Sequence, residues 1–343
     1  MPNDVLTEAI ELLCSRRDLS TDQAAAVLAE IMAGNASETQ TAAVLIALRT
    51  KGETVDELVG LASTMRALAL PVKTRRDDLV DTAGTGGGRP TFNVSTTAAL
   101  IAAGAGCAVA KHGNRSATGL SGSADLLEAL GVRIDLGPEQ VARCIEQIGF
   151  GFMFAPAHHG ATRFVVPVRK ELAVRTIFNF LGPLTNPAGA TRQLIGVSDP
   201  AFLDTIAGAL ARLGATKALV VSSSDGLDEM STSGTTRVVE VDGSELHSYE
   251  LAPEDVGLPR AALEDVAGGT PELNAETARR IFAGEPGPPR DLAAFNAGAA
   301  IYAAGRSDTL EQGVRAAEAA LDDGAAAAAL DRLVKLTGEL APS

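Results

Sequence analysis

A chain of 343 residues, 46% of them hydrophobic, is long enough for about two domains with a sizeable core. A formal net charge of −14 argues against a nucleic-acid surface, because duplex binding rests on cationic contacts to phosphate. The longest apolar stretch, residues 98–110, is interrupted by glycine and falls short of the roughly 20 residues that span a bilayer, so no membrane partner is expected. The start of the chain lacks the basic run and apolar core of a secretory signal. Cys14, Cys107 and Cys144 are odd in number and lack metal-ligand spacing, as expected of reduced thiols in the cytoplasm.

Residues 4–70 read as a helical layer, with Val5, Leu6, Ala9, Ile10, Leu12 and Leu13 at helical spacing and three further segments behind them. Ser20 with Gln23, Ser37 with Gln40 and Thr54 with Glu57 form capping-box patterns, and Gly34 and Gly52 mark helix ends. Pro71 stops the last helix, and the polar run 73–78 leads into the first strand, so a small helical domain over 1–70 precedes an α/β domain over 79–343. From 79 to about 199, strand-like and helix-like runs alternate, the pattern of a mostly parallel sheet. Residues 193–197 and 218–221 read as central strands around an amphipathic helix over 199–213. Segments 236–241 and 246–251 read as an edge hairpin, and 274–340 return to helix.

Two glycine-rich turns organise the α/β part. After Leu79, Val80 and Asp81, the residues Gly84, Gly86, Gly87 and Gly88 make a loop that exposes backbone N–H groups. Ser95 or Thr96 is the expected N-cap of an Ala-rich helix to about 103, whose positive end faces an anion. The spacing is neither that of the P-loop nor that of the dinucleotide fingerprint, and by itself a tight turn explains it equally well. The second turn follows a strand at 107–110 and carries Lys111, His112, Asn114, Arg115, Ser121 and Ser123. In open α/β sheets ligands gather beyond the carboxyl ends of strands, so both loops can face one crevice suited to a polyanion.

Asp228 and Glu229 follow a strand. They are either a solvated acidic pair or oxygen ligands for Mg²⁺, which favours one or two carboxylates with substrate phosphate and water. Lys111 is a phosphate contact or a surface lysine. Each histidine is a structural hydrogen-bonder or an acid or base.

The blocks Gly84-Thr85-Gly86-Gly87, Thr91-Phe92-Asn93-Val94-Ser95-Thr96, Lys111-His112-Gly113-Asn114-Arg115 and Ser121-Gly122-Ser123-Ala124-Asp125 resemble those of the anthranilate phosphoribosyltransferase family. Phe154-Ala155-Pro156 with His159, Arg169, the run 175–187, the run 225–231 and Asn296-Ala297-Gly298-Ala299 agree in order, over nearly the whole chain. The resemblance implies a nucleoside-phosphorylase-type fold, a homodimer joined through the helical domains, and transfer of 5-phosphoribosyl from phosphoribosyl pyrophosphate (PRPP) to anthranilate with Mg²⁺. It implies donor contacts at Gly84, Gly87, Gly88, Thr91, Asn93, Val94, Ser95, Thr96, Lys111, Asn114 and Ser123. It implies acceptor contacts at Gly84, His112, Asn114, Pro156, His159, Arg169 and Gly182, with metal at Ser95, Asp228 and Glu229. Block alignment selects Arg169 over Arg163 and Arg175 as the clamp on the anthranilate carboxylate.

The chain departs from the family at Gly88, where Asp is usual, and at Ala117, Thr118, Gly119 and Leu120, where serines are frequent. Smaller departures are Gly160, Thr162, Ser222 and Ser223. The alternatives are phosphorolysis of a pyrimidine nucleoside on the same fold, or a non-catalytic binding protein.

Overall fold

The computed structural model describes residues 2–116 and 119–341, so Ala117 and Thr118 lie outside the described residues. Four helices open the chain: α1 (Asp4–Cys14), α2 (Thr21–Met32), α3 (Glu38–Lys51) and α4 (Val55–Leu68). Ser20 with Gln23 and Thr54 with Glu57 close both halves of their capping boxes. Ser37 caps α3, but the Gln40 side chain turns instead to the Asn3 backbone, bonding its N–H and its C=O at 3.0 Å each, and so ties α3 to the start of α1.

The second part runs β1 (Leu79–Gly84), α5 (Val94–Gly104), β2 (Ala108–Gly113), α6 (Ser123–Ala129), α7 (Pro138–Ile148), β3 (Phe150–Phe154), α8 (Ala155–His158), α9 (Val166–Leu172) and α10 (Phe178–Leu184). It continues with β4 (Arg192–Gly196), α11 (Leu203–Arg212), β5 (Lys217–Ser223), β6 (Thr236–Asp242), β7 (Glu245–Leu251), α12 (Pro271–Phe282), α13 (Pro288–Ala303), α14 (Leu310–Asp322) and α15 (Ala325–Leu340). The seven strands lie in the order β3-β2-β1-β4-β5-β6-β7; the first five are parallel, and β6 and β7 add an antiparallel edge. Among the described residues, no helix is long and apolar enough to cross a membrane.

One apolar layer, built on α5, α13 and α15, covers one face of the sheet. The other layer joins α2 and α4 to α10, α11 and the sheet residues Ile195, Val220 and Val239. Arg66 of α4 bonds the carbonyls of Leu184 and Leu213 at 2.7 and 3.1 Å, which ties the helical layer to the ends of α10 and α11.

The start of α5 corrects the expectation of Ser95 or Thr96 as its cap. The cap is Asn93, in the left-handed region at φ 62°, ψ 52°, and its carbonyl accepts from Thr96 and Thr97 at 3.0 and 3.1 Å. Asparagine tolerates this conformation better than most residues. Its side chain does not cap the helix, because it is turned toward other loops.

Strand order reverses between β1 and β4, which is where open sheets bind ligands. Gly84 and Gly196 are in register there. The loop carrying Asp228 and Glu229 closes over this point and is held by Asn296 of α13. The fully buried Asn296 amide accepts from Met230 N–H at 2.9 Å and donates to the carbonyls of Met230 and Leu292, each at 2.9 Å. Removing it leaves the Met230 N–H and C=O unpaired inside the protein. Asn296→Ala is expected to lower the free energy of unfolding by about 3 kcal/mol, read from urea denaturation.

Candidate active site

The first glycine turn is held on both sides. Gly86 N–H donates to Asp228 Oδ2 at 3.1 Å, and Gly86 C=O accepts from Arg175 Nη2 at 2.8 Å and Ser198 Oγ at 2.9 Å. Arg175 Nη1 also donates to Ser198 Oγ at 2.7 Å. The C=O and N–H of a trans peptide point in opposite directions, so fixing the Gly86 carbonyl on Arg175 aims the Gly87 N–H away from that guanidinium. A Cβ at Gly84 or Gly88 would lie 2.6 or 2.4 Å from the Asp228 carboxylate, and one at Gly87 2.8 Å from Arg175. The glycines therefore make room for two charged groups. Arg175, set aside by sequence in favour of Arg169, holds this loop from the segment between α9 and α10, whereas Arg163 stacks on Phe164 in an exposed segment.

Asp228 and Glu229 are half-buried. Burial raises the Asp228 carboxyl, opposed by backbone N–H groups and by Arg175. Glu229 is raised well above its ordinary value, first by burial and then by the Asp228 charge, with Lys111 and the Ser95 backbone opposing. Among the described residues no three or more His, Cys, Asp or Glu are grouped so as to hold a metal ion by themselves. Two carboxylates whose charge is only partly offset, one of them bonded by the Ser95 backbone, fit Mg²⁺, which takes its remaining ligands from phosphate and water. Asp225 is a turn residue: it accepts from Ser223 Oγ at 2.5 Å and Leu227 N–H at 3.1 Å.

Lys111 is neither a surface lysine nor a free phosphate contact. It is 1% exposed, and Nζ donates to Thr82 O at 2.6 Å and Thr82 Oγ1 at 3.3 Å. Burial lowers its pKa, while the charges of Asp81 and Glu229 oppose that shift. Asp81 is fully buried and accepts from His112 N–H and Asn186 Nδ2. A buried carboxylate–ammonium cluster thus lies beneath the loop.

In the second turn, Asn114 N–H donates to Ser123 Oγ, and Ser123 Oγ donates to Asn114 O, both at 3.1 Å. Asn114 is exposed at the turn, Ser123 begins α6, and Arg115 is spent on Asp125 and Glu128. Asn93 crosses to this turn, with Nδ2 donating to Ser121 O at 2.9 Å and Oδ1 accepting from Ser121 Oγ at 2.7 Å. The side chains of Val94 and Thr96 are fully buried, and the Thr96 hydroxyl has no partner. They face the core, which leaves only main-chain groups to meet a ligand. Thr91 is paired through its backbone with Ala267.

Among the residues expected to meet the acceptor, His112 Nδ1 contacts Gly182 O at 3.1 Å, and its ring centroid lies 5.1 Å from that of His159. Both Nε2 atoms are buried and have no hydrogen-bond partner among the described residues. Burial lowers His112 to about 3 and His159 to about 4, so both rings are neutral at pH 7. A Cβ on Gly182 would meet nothing within 4 Å, and Pro156 is exposed at the start of α8. Arg169 lies over the Phe178 ring at 5.4 Å. It is half-buried, has no carboxylate partner among the described residues, and burial lowers its pKa. Ala173, left-handed at φ 51°, separates it from Arg175, whose carbonyl accepts from Arg49 of α3 at 2.8 Å.

Gly88→Asp, which restores the residue usual in the family, places a second carboxylate against Asp228. It is expected to weaken Mg²⁺-dependent PRPP binding about tenfold by titration calorimetry, because the new side chain has no space. The neutral histidines give a pH dependence of known sign. The unfolded chain protonates them below about pH 6.5 and the native protein does not, so they make stability fall on acidification toward pH 4. Asp228 and Glu229 act in the opposite sense, and their effect cancels when two proteins are compared. Between pH 7 and 5, His159→Gln is expected to lose less unfolding free energy than the parent.

The helical bundle domain of a glycosyl transferase family matches residues 7–69, and the α/β domain of a glycosyl transferase family matches residues 76–327. The chain is 52% identical to the anthranilate phosphoribosyltransferase of Rubrobacter xylanophilus, covering 98% of this chain and 99% of that one. It superposes on the crystal structure of the Thermus thermophilus anthranilate phosphoribosyltransferase with a TM-score of 0.91 at 47% identity, over 96% and 99% of the two chains. The Saccharomyces cerevisiae enzyme solved with PRPP and Mg matches with a TM-score of 0.89 at 25% identity, over 98% and 99%. The same yeast enzyme with 4-fluoroanthranilate gives 0.88 at 26%, over 98% of each chain. This chain belongs to the anthranilate phosphoribosyltransferase family.

Proposed function

We propose that the protein transfers the 5-phosphoribosyl group of PRPP to the amino group of anthranilate and releases pyrophosphate, a step of tryptophan synthesis. The observation that supports this best is the meeting of the glycine turn with Asp228 and Glu229 at the β1/β4 switch point, with the unpaired Arg169 among the acceptor-side groups. The yeast relative has been solved in complex with PRPP and Mg, and separately with 4-fluoroanthranilate. Neither nucleoside phosphorolysis nor a non-catalytic role is favoured by any relative described above.

In this reading, main-chain N–H groups of the 84–88 turn and the start of α5 hold the donor, together with Ser95, Asn114 and Ser123. Asp228, Glu229 and Ser95 would hold Mg²⁺, which when bound neutralises charge on the pyrophosphate. Lys111 supports the site from beneath, by balancing Asp81 and Glu229. Arg169 clamps the anthranilate carboxylate through a two-pronged hydrogen bond. His112, His159, Pro156 and Gly182 line the ring pocket.

As the ribose C1–O bond breaks, positive charge develops on the sugar and the aromatic amine attacks. That amine is already neutral at pH 7, and histidines of such low basicity are poor general bases. Positioning therefore contributes more than proton abstraction.

The domain division proposed is 1–70 and 79–343. We further propose a homodimer through the helical domains. An apolar groove of about 450 Å³ between α1 and α3, lined by Ile10, Leu13 and Ile46, supports that assembly. A cytoplasmic location is consistent with three free cysteines.

The test is loss of anthranilate fluorescence with PRPP and Mg²⁺. Consumption that is abolished by EDTA and reduced at least a hundredfold by Asp228→Ala is the expected result. Arg169→Ala is expected to raise the KM for anthranilate at least tenfold while moving that for PRPP less than twofold. Equal effects on both would remove Arg169 from the acceptor pocket.

A further inference from the structure

We infer that Asn274 is a positioning residue for the phosphoribosyl donor, acting through Asn93. The inference rests on the assignment of residues 93–96 and Ser123 to the donor, and it brings a distant segment of the chain into that site. Asn274 lies in the first turns of α12, is 2% exposed, and contacts no residue of the acceptor pocket through a hydrogen bond. Its Nδ2 donates to Asn93 Oδ1 at 2.8 Å, and its Oδ1 accepts from Gly269 N–H at 2.7 Å.

Asn93 Oδ1 therefore carries two donors, Asn274 Nδ2 and Ser121 Oγ, while Asn93 Nδ2 donates to Ser121 O. One side chain thus joins three parts of the chain: the start of α5, the turn before α6, and the 267–274 segment. The last of these is fitted closely to the donor loop. Thr91 pairs with Ala267, Gly268 N–H reaches Pro90 O at 3.3 Å, and a Cβ on Gly268 would lie 1.9 Å from Thr91 O.

The reason for this arrangement is conformational. Asn93 is left-handed, and its side chain makes none of the usual capping bonds to α5. Something else must fix the direction in which α5 begins, and with it the Ser95 hydroxyl and the adjacent main chain. Asn274 and Ser121 do so through hydrogen bonds to the one side-chain oxygen of Asn93. The same oxygen links the start of α5 to the turn that leads into α6, the two segments assigned above to the donor. The 267–274 segment is the backing of the donor site, and Asn274 is its point of attachment.

The experiment compares Asn274→Ala, Ser121→Ala, the double variant, and Ala278→Gly as a control that loosens α12 without touching Asn93. PRPP binding is measured by titration calorimetry in Mg²⁺, with KM for both substrates. Asn274→Ala is expected to raise the donor Kd and KM at least tenfold and to leave the anthranilate KM within twofold. The double variant is expected to be markedly less than multiplicative, since both changes act on one oxygen.

A purely structural role would lower kcat and melting temperature with unchanged donor KM, and that result overturns the inference. So does an equal donor effect from Ala278→Gly, or strict multiplicativity in the cycle. Ser95→Ala separates the two levels. If it weakens donor binding and Asn274→Ala does not, the donor site stands and the positioning role falls. If neither does, the donor site falls as well. Should Asn274→Ala fail to fold, Ser121→Ala, on an exposed turn, still must show the donor-selective loss.

Discussion

The main chain at Asp228 passes so close over the end of β4 that a Cβ on Gly196 would sit 1.6 Å from its carbonyl oxygen. This contact sets the geometry of everything around it. It brings the Asp228 carboxylate into the space that side chains at Gly84 and Gly88 would need, and lets the carboxylate accept from Gly86. Asn296 holds the same loop from the far side through both polar groups of Met230. The carboxylates are fixed by packing and backbone bonding before any ligand arrives, so their orientation costs little when one does.

Electrostatics under the loop follow from burial. Lys111 and Asp81 are each taken out of water by the β1–β2 core, and each shift is opposed by the other's charge. Glu229 is drawn into the same field and further raised by Asp228. Such a cluster is stable only while its charges balance, since an unpaired buried charge is far more costly than a paired one. The acidic surface of the molecule as a whole does not enter this local balance.

Much of this was legible in the sequence. Helix starts at Ser20 and Thr54 declare themselves because their partners are three residues away, and the alternation of runs from 79 onward gives the parallel sheet. The glycine turns were legible for the same reason, being local. What escaped depends on residues far apart in the chain. Asn93 caps α5 because Ser121 and Asn274 hold it, and nothing near Asn93 announces either. Lys111 reads as a surface or ligand lysine because lysine is almost never fully buried, and only the fold places Asp81 and Glu229 around it. Arg175 resembled a spare cation until the fold brought it to Gly86, although its place in the same block as Gly182 was a signal.

The left-handed residue Ala173 has a consequence for how this stretch can vary. Arg169, proposed for the acceptor, and Arg175, which grips the first glycine turn, stand on either side of it along one short run of backbone. Arg49 clamps the same run from the helical layer. A gained or lost residue between the two arginines would turn one of them out of place whatever its identity. The length of this segment is therefore under tighter restraint than its composition.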